Sequence, residues 1–130
     1  MTLLIRIIFP VLALLLLSCT KNNDGPTTIS GTAKTHQGTL LKNQGISIEG
    51  IKEIVCLMPG CDDQEVVDRH QTSTNDEGSF YIEIAPNSEV EYYDVRISGT
   101  ISGSNNCVTY SEIVYPGKEV TNLQLTIICE

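Results

Sequence analysis

Apolar residues follow two patterns along this chain. Over 7–17 they are continuous, eleven positions counting Pro10. From residue 29 onward they come singly, alternating with polar neighbours in short runs. A period of two places successive side chains on opposite faces of a strand, so these runs predict half-buried β-strands. The predicted strands are 29–35, 45–51, 53–57, 65–73, 79–85, 92–102, 106–115 and 120–129. Between them lie HQG, MPGCDD, NDEG, APNSE, SGSN and PGKE, each carrying Gly, Pro, Asn or Asp, whose backbone preferences set turns. No window of a dozen residues keeps the three-and-four spacing of an amphipathic helix. The pattern predicts an all-β chain folded as one antiparallel β-sandwich of seven or eight strands.

Alternation also assigns faces. Ile46 and Ile48 alternate with Ser47 and Glu49, and Phe80, Ile82 and Ile84 with Tyr81 and Glu83. Tyr93, Val95 and Ile97 point inward if Tyr92, Asp94, Arg96 and Ser98 face water. Leu123, Leu125 and Ile127 alternate with Asn122, Gln124 and Thr126. These apolar positions are the predicted core, each buried side chain contributing about 1.5–3 kcal/mol.

The continuous run has a different meaning. It is shorter than the roughly 20 apolar residues a membrane-spanning helix needs. Arg6 precedes it and the small residue Ser18 follows, the layout of a secretory signal peptide. Its last four residues, Leu16, Leu17, Ser18 and Cys19, resemble the lipobox of bacterial lipoproteins. The resemblance implies cleavage before Cys19, a diacylglycerol thioether on its sulfur and a fatty acyl group such as palmitate on the new amino terminus. An ordinary cleavage site also prefers a small residue three positions before the cut, where this chain has Leu16. The domain plan is then a signal peptide over 1–18, a lipidated cysteine and tether over 19–28 and a β-sandwich over 29–130. The tether, rich in Asn, Thr, Gly and Pro, reads as flexible. Thr20, rather than Asp, follows the cysteine, which by resemblance to lipoprotein sorting rules favours the outer membrane; its surface and periplasmic sides stay open.

Charge narrows the partners. The formal net charge is −8, and without the leader and its single Arg6 it becomes −9, from 7 basic and 16 acidic residues. An acidic surface disfavours nucleic acid, whose phosphates call for Lys and Arg, and equally disfavours anionic lipid headgroups.

Four cysteines remain beyond Cys19: Cys56, Cys61, Cys107 and Cys129. In an exported chain an even number predicts disulfides. If 106–115 and 120–129 form a hairpin with Tyr115 opposite Thr121, the same register sets Ile113 opposite Leu123 and Cys107 opposite Cys129. Directly opposed Cβ atoms lie about 4.5–5.5 Å apart, near what a disulfide needs. The predicted bridges are Cys107–Cys129 and Cys56–Cys61, the latter clamping the turn of Met58, Pro59 and Gly60. A zinc site from Cys56, Cys61, His36 and His70 is the rival, without the paired histidines such sites use. The acids Asp62, Asp63 and Glu65, or Asp76 and Glu77, lack the regular spacing of a calcium loop. No cofactor is predicted.

The strands ISGTAKTHQGTLLKNQGISIEG, TSTNDEGSFYIEI and YYDVRISG together resemble the carboxypeptidase regulatory-like domain, a prealbumin-type sandwich found in Bacteroidetes lipoproteins and outer-membrane proteins. Ser30, Gly31, Gly38, Ile46, Ile48, Thr74, Asp76, Gly78, Phe80 and Tyr93 fill its motif positions. Its usual Pro is missing near Asn43 and Gln44, and the insertion VCLMPGCDDQ is longer than in the plain form. The resemblance implies an Ig-like or prealbumin-like sandwich acting as a structural or interaction module, not a catalyst.

No nucleophile setting or phosphate-binding Gly loop appears, so no catalytic residue is assigned. His70, in the polar run DRHQTST, reads as a surface side chain. The leading expectation is a lipid-anchored envelope module meeting an envelope or extracellular protein or glycan through loops at one end or an exposed sheet edge. The favoured contact loop is 56–66, with Asp62 and Asp63 at its tip. The alternatives are a small glycan- or cation-binding lipoprotein using Tyr92, Tyr93, Tyr110 and acids, and an inhibitor or immunity-type lipoprotein.

Overall fold

A computed structural model describes residues 25–55, 57, 59–60, 63–99 and 107–129. These form eight strands: β1 (Thr27–Thr35), β2 (Gly45–Glu53), β3 (Gln64–Ser73), β4 (Ser79–Ile84), β5 (Tyr92–Ser98), β6 (Cys107–Thr109), β7 (Glu112–Val114) and β8 (Glu119–Cys129). Sheet I has the order β4-β1-β8-β6 and sheet II the order β3-β2-β5-β7. The chain is an all-β sandwich, as the alternation predicts. Its pairs are antiparallel except β1 with β8, which run parallel. The first and last strands thus lie side by side at the centre of sheet I.

The core forms where the two inner faces meet. Ile29, Ala33, Leu125 and Ile127 from sheet I face Ile46, Ile48, Tyr93 and Val95 from sheet II, all removed from water. Phe80, Ile84 and Ile97 complete the inward set read from the sequence, while Ile82 and Leu123 are only partly covered. Leu41, Val90 and Val114 join them from positions no alternation flagged.

Three predicted elements differ. No separate strand occupies 53–57: β2 runs on through Glu53, then leaves the sheet, and the Ile54 N–H donates to the Asp63 carbonyl at 2.9 Å, closing a loop. β5 stops at Ser98, where Gly99 takes a positive φ of 91°.

The third difference is the largest. The predicted strand 106–115 is two strands, because the chain crosses from sheet I to sheet II at Tyr110 and Ser111. In sheet I, Cys107 opposes Cys129, as the hairpin register predicts, and the two are disulfide-bonded. Beyond the crossing, Ile113 opposes Asp94 of β5 rather than Leu123. The crossing also reverses which parity faces the core. Val114 turns inward beside Tyr93, and Ile113 and Tyr115 are left exposed.

A bulge interrupts the β1–β8 seam. Ile29 opposes Val120 but Gly31 opposes Leu123, so one residue of β1 spans two of β8. Asn122 absorbs the extra residue at φ 63°, a left-handed conformation that Asn tolerates better than most residues. The bulge lets Val120 and Leu123, three apart, both pack on the core. It also brings the two backbones together. A Cβ on Gly31 would overlap the Leu123 carbonyl oxygen and lie 2.8 Å from its carbonyl carbon.

Candidate functional site

The predicted contact loop leaves β2 and returns in β3. Val55 and Leu57 are each 90% exposed, and Asp63 is exposed at the base. Cys56, Cys61 and Asp62 lie outside the described residues, as does Cys19. Beneath the loop, Ile51 pairs with both Val66 and Tyr92, which puts the three on the outer face of sheet II. Ile51 is buried there, apart from the main core. The Tyr92 phenol is pushed above its ordinary value by burial and then by the charges of Glu53, Asp94 and Asp63, partly offset by a hydrogen bond with Gln64.

A second surface follows the crossing strand. Val108, Tyr110, Ile113 and Tyr115 are 57–59% exposed. Among the described residues β6 and β7 are the terminal strands of their sheets, so each sheet ends on this side in a short strand. Sequence alternation missed the patch because it kept 106–115 in one sheet, where Ile113 and Tyr115 would face inward.

Inside the sandwich, edge strand β3 turns Asp68, His70 and Thr72 toward the core side, opposite Gly50, Ile48 and Ile46. His70 is therefore not the surface side chain the sequence suggested. Its side chain is 30% exposed, and its ring meets Tyr93 edge-on at 6.4 Å. Nε2 lies 2.9 Å from Asp68 Oδ2, off the alignment of a good hydrogen bond. Asn87 Nδ2 donates to the same carboxylate oxygen at 3.4 Å. Burial raises the Asp68 carboxyl, but His70 through contact and charge, Asn87 and the Arg69 amide together hold it below its ordinary 3.8. Tyr93 is wholly buried, and its hydroxyl has no hydrogen-bond partner among the described residues. Burial, then the charge of Asp68, push that phenol up. Tyr93 thus cannot offer a stacking face to a sugar. The cluster is a charge-paired Asp68 and His70 packed around the Tyr93 ring: Gly50 leaves the space that the Asp68 Cβ, the Val90 side chain and the Tyr93 ring fill.

The outer faces differ in character. On sheet II, Glu49 bridges Arg96 and Arg69. On sheet I, the bulge at Gly31 leaves a shallow depression of about 340 Å³ lined by Ser30, Thr32, Ser79, Asn122 and Gln124, all uncharged, with Gly31 and Phe80 at its floor. Tyr81, exposed and paired with Ser30, stands beside it. Lys34 donates to the Gln124 side-chain oxygen at 2.8 Å.

Among the described residues no three His, Cys, Asp or Glu side chains gather as metal ligands. His36 follows β1 at the opposite end of the sandwich from the end of β2, and Cys56 and Cys61, with which the zinc alternative groups it, lie outside the described residues. No helix of the described residues is long and apolar enough to cross a membrane. In comparisons with known proteins, no family model, curated protein or solved structure matches this chain.

Proposed function

We propose that this protein is a lipid-anchored, non-catalytic interaction module of the bacterial envelope. It is held at the outer membrane through acylated Cys19 and docks an extended segment of a partner protein on its β6–β7 edge. One observation carries the docking: Ile113 and Tyr115 stand more than half exposed along β7, with Val108 and Tyr110 exposed on β6 and the crossing, and β6 and β7 are the terminal strands of their sheets among the described residues. An edge strand offers unpaired N–H and C=O groups, and apolar side chains beside it add affinity to that pairing. A protein strand supplies both kinds of contact. The placement of Gly31, Thr74 and Gly78 at the seam and the β3–β4 turn supports the regulatory-like resemblance, since each has a structural task there.

The test places a photo-crosslinking residue at Ile113 or Tyr115 in living cells, with Gln71 on the opposite edge as control. A discrete protein adduct is expected at 113 and 115 and absent at 71, and the adduct at 115 should be lost when exposed Ile113 is replaced, Ile113→Lys, which leaves the core untouched. No adduct at either edge position would remove the docking reading. Mass spectrometry of the mature amino terminus reads the anchor separately.

A second reading has its own observation. The uncharged hydroxyls and amides around Gly31, next to exposed Tyr81, suit a neutral sugar, which binds by hydrogen bonds and aromatic stacking. Amide shifts at Asn122 and Gln124 on titration with neutral hexoses would support it, and their absence at high millimolar sugar would end it.

A further inference from the structure

We infer that Val55 and Leu57, which follow the end of β2, face the bilayer and sit among neutral lipid headgroups; this rests on the lipid anchor proposed at Cys19. The argument is one of placement. β1 begins at the same end of the sandwich where β2 ends and β3 begins, because β1 runs parallel to β8 and the 36–44 connection crosses at the far end. That end is fastened at the start of β1: Thr28 N–H donates to the Lys118 carbonyl at 3.0 Å, and Gly117 N–H donates to Thr27 Oγ1 at 2.9 Å. Gly25 therefore leaves the fold at the end that carries Ile54, Asp63 and the loops 85–91 and 115–118.

Only residues 20–24 separate Cys19 from Gly25. Six residue steps span at most roughly 20 Å, less than the length of this domain's longer strands. An acyl-anchored Cys19 thus keeps this end of the sandwich, and not the end carrying 36–44 and 74–78, against the membrane. At this end two large aliphatic side chains stand almost entirely in water, each 90% exposed, with Ile54 partly exposed beside them. Burying such side chains is favourable in proportion to the apolar area removed from water. The acids around them choose the lipid. Glu53, Asp63, Glu65 and Glu91 outnumber Lys52, opposite Glu65, and Lys118 at this end, so anionic headgroups are repelled and neutral, zwitterionic ones are accepted.

The anchor and the loop act together. The several acyl chains implied at Cys19 hold the protein stably on the bilayer, and the loop adds a second point of contact. The loop also fixes orientation: with one end held to the lipid, the β6–β7 edge stands upright from the surface.

The chain contains no tryptophan, so each engineered one reports alone. Full-length lipidated protein carrying Leu57→Trp is placed in phosphatidylcholine vesicles with lipids spin-labelled near the headgroup. Gln37→Trp, exposed at the opposite end, is the control. The expected result is a blue-shifted emission at position 57, quenched severalfold more by the spin label than position 37. Protein that floats with the vesicles while both positions remain equally open to aqueous quencher overturns the loop and leaves the anchor standing. Protein lacking lipid on Cys19 and failing to float overturns the anchor, and the loop with it. Protection at 57 that appears only with an added protein partner also overturns the inference, because the loop then belongs to a protein contact. Both positions are exposed, so neither substitution disturbs the fold, and a denaturation midpoint confirms that.

Discussion

Where β3 turns into β4, the backbone is tied down from several directions. Buried Thr74 donates its hydroxyl to the Leu41 carbonyl at 2.6 Å and accepts from the Gln44 N–H at 2.9 Å, and its own backbone bonds with Asn43 and Gln44. Asn75 Oδ1 accepts from the amides of Glu77 and Ser79, and Gly78 supplies the positive φ that closes the turn. The Cys107–Cys129 bridge joins strands at the same end. Where β2 turns into β3, the Ile54–Asp63 backbone bond closes a loop whose aliphatic side chains stand in water. The first end spends its polar side chains on its own backbone and leaves Leu40 and Val108 only about half exposed. The second leaves apolar surface for something else to cover. Stability and contact are thereby separated along the length of the sandwich, and substitutions should act on one without the other.

The largest effect should come from the seam between the two ends. Gly31→Ala must push the β1 and β8 backbones apart, because the obstructing atoms belong to Leu123's own carbonyl. A loss of about 3 kcal/mol or more is expected in chemical denaturation; a loss below about 1 kcal/mol would mean that the bulge relaxes freely. Next, Cys129→Ser opens the disulfide, whose residues are 22 apart in sequence. It should cost about 3 kcal/mol, with reductant having no further effect on the variant. Thr74→Val keeps the shape but strands the Leu41 carbonyl and Gln44 amide. The expected cost is about 2 kcal/mol, and Thr74→Ser should recover most of it.

Asp68 supplies a pH test between the ends. Its folded-state pKa lies below the unfolded value, so its contribution is complete above the ordinary carboxylate range and is lost as pH falls through the folded value. Asp68→Asn should therefore lower stability at neutral pH and flatten the acid limb between about pH 2 and 5. An unchanged acid limb would show that His70 does not hold the carboxylate. The smallest effect belongs to the loop: Val55→Ser with Leu57→Ser should stay within about 0.5 kcal/mol in denaturation. A larger loss would mean that the loop is part of the folded core after all.

Much of the fold was readable because the sandwich repeats one local rule. Ile46, Ile48, Phe80, Ile84, Tyr93, Val95, Ile97, Leu125 and Ile127 sit inside because period-two alternation projects them there. The rule fails where burial depends on another segment. Val90 is buried beside Gly50 from an irregular stretch with no period to read. His70 looks solvated in DRHQTST, yet its strand is an edge whose inner face needs a side chain, and Asp68 offsets the cost of burying it. For the candidate surfaces, the sequence pointed to the 56–66 loop and to Asp63. It did not indicate the β6–β7 patch, because a single unbroken alternating run gives no sign of where a chain changes sheets.

By itself, then, the order of residues determined the all-β class, the faces of most strands and the cysteine pair at the end of β8, because side-chain direction along a strand is a local property. Tertiary structure alone decided the rest. Whether residues 110 and 111 cross between layers, which parity then faces inward and where the β1–β8 seam bulges all depend on how two sheets close over one core. That closure is a nonlocal packing condition, and it set both the exposed edge and the end of the molecule from which the amino-terminal chain departs.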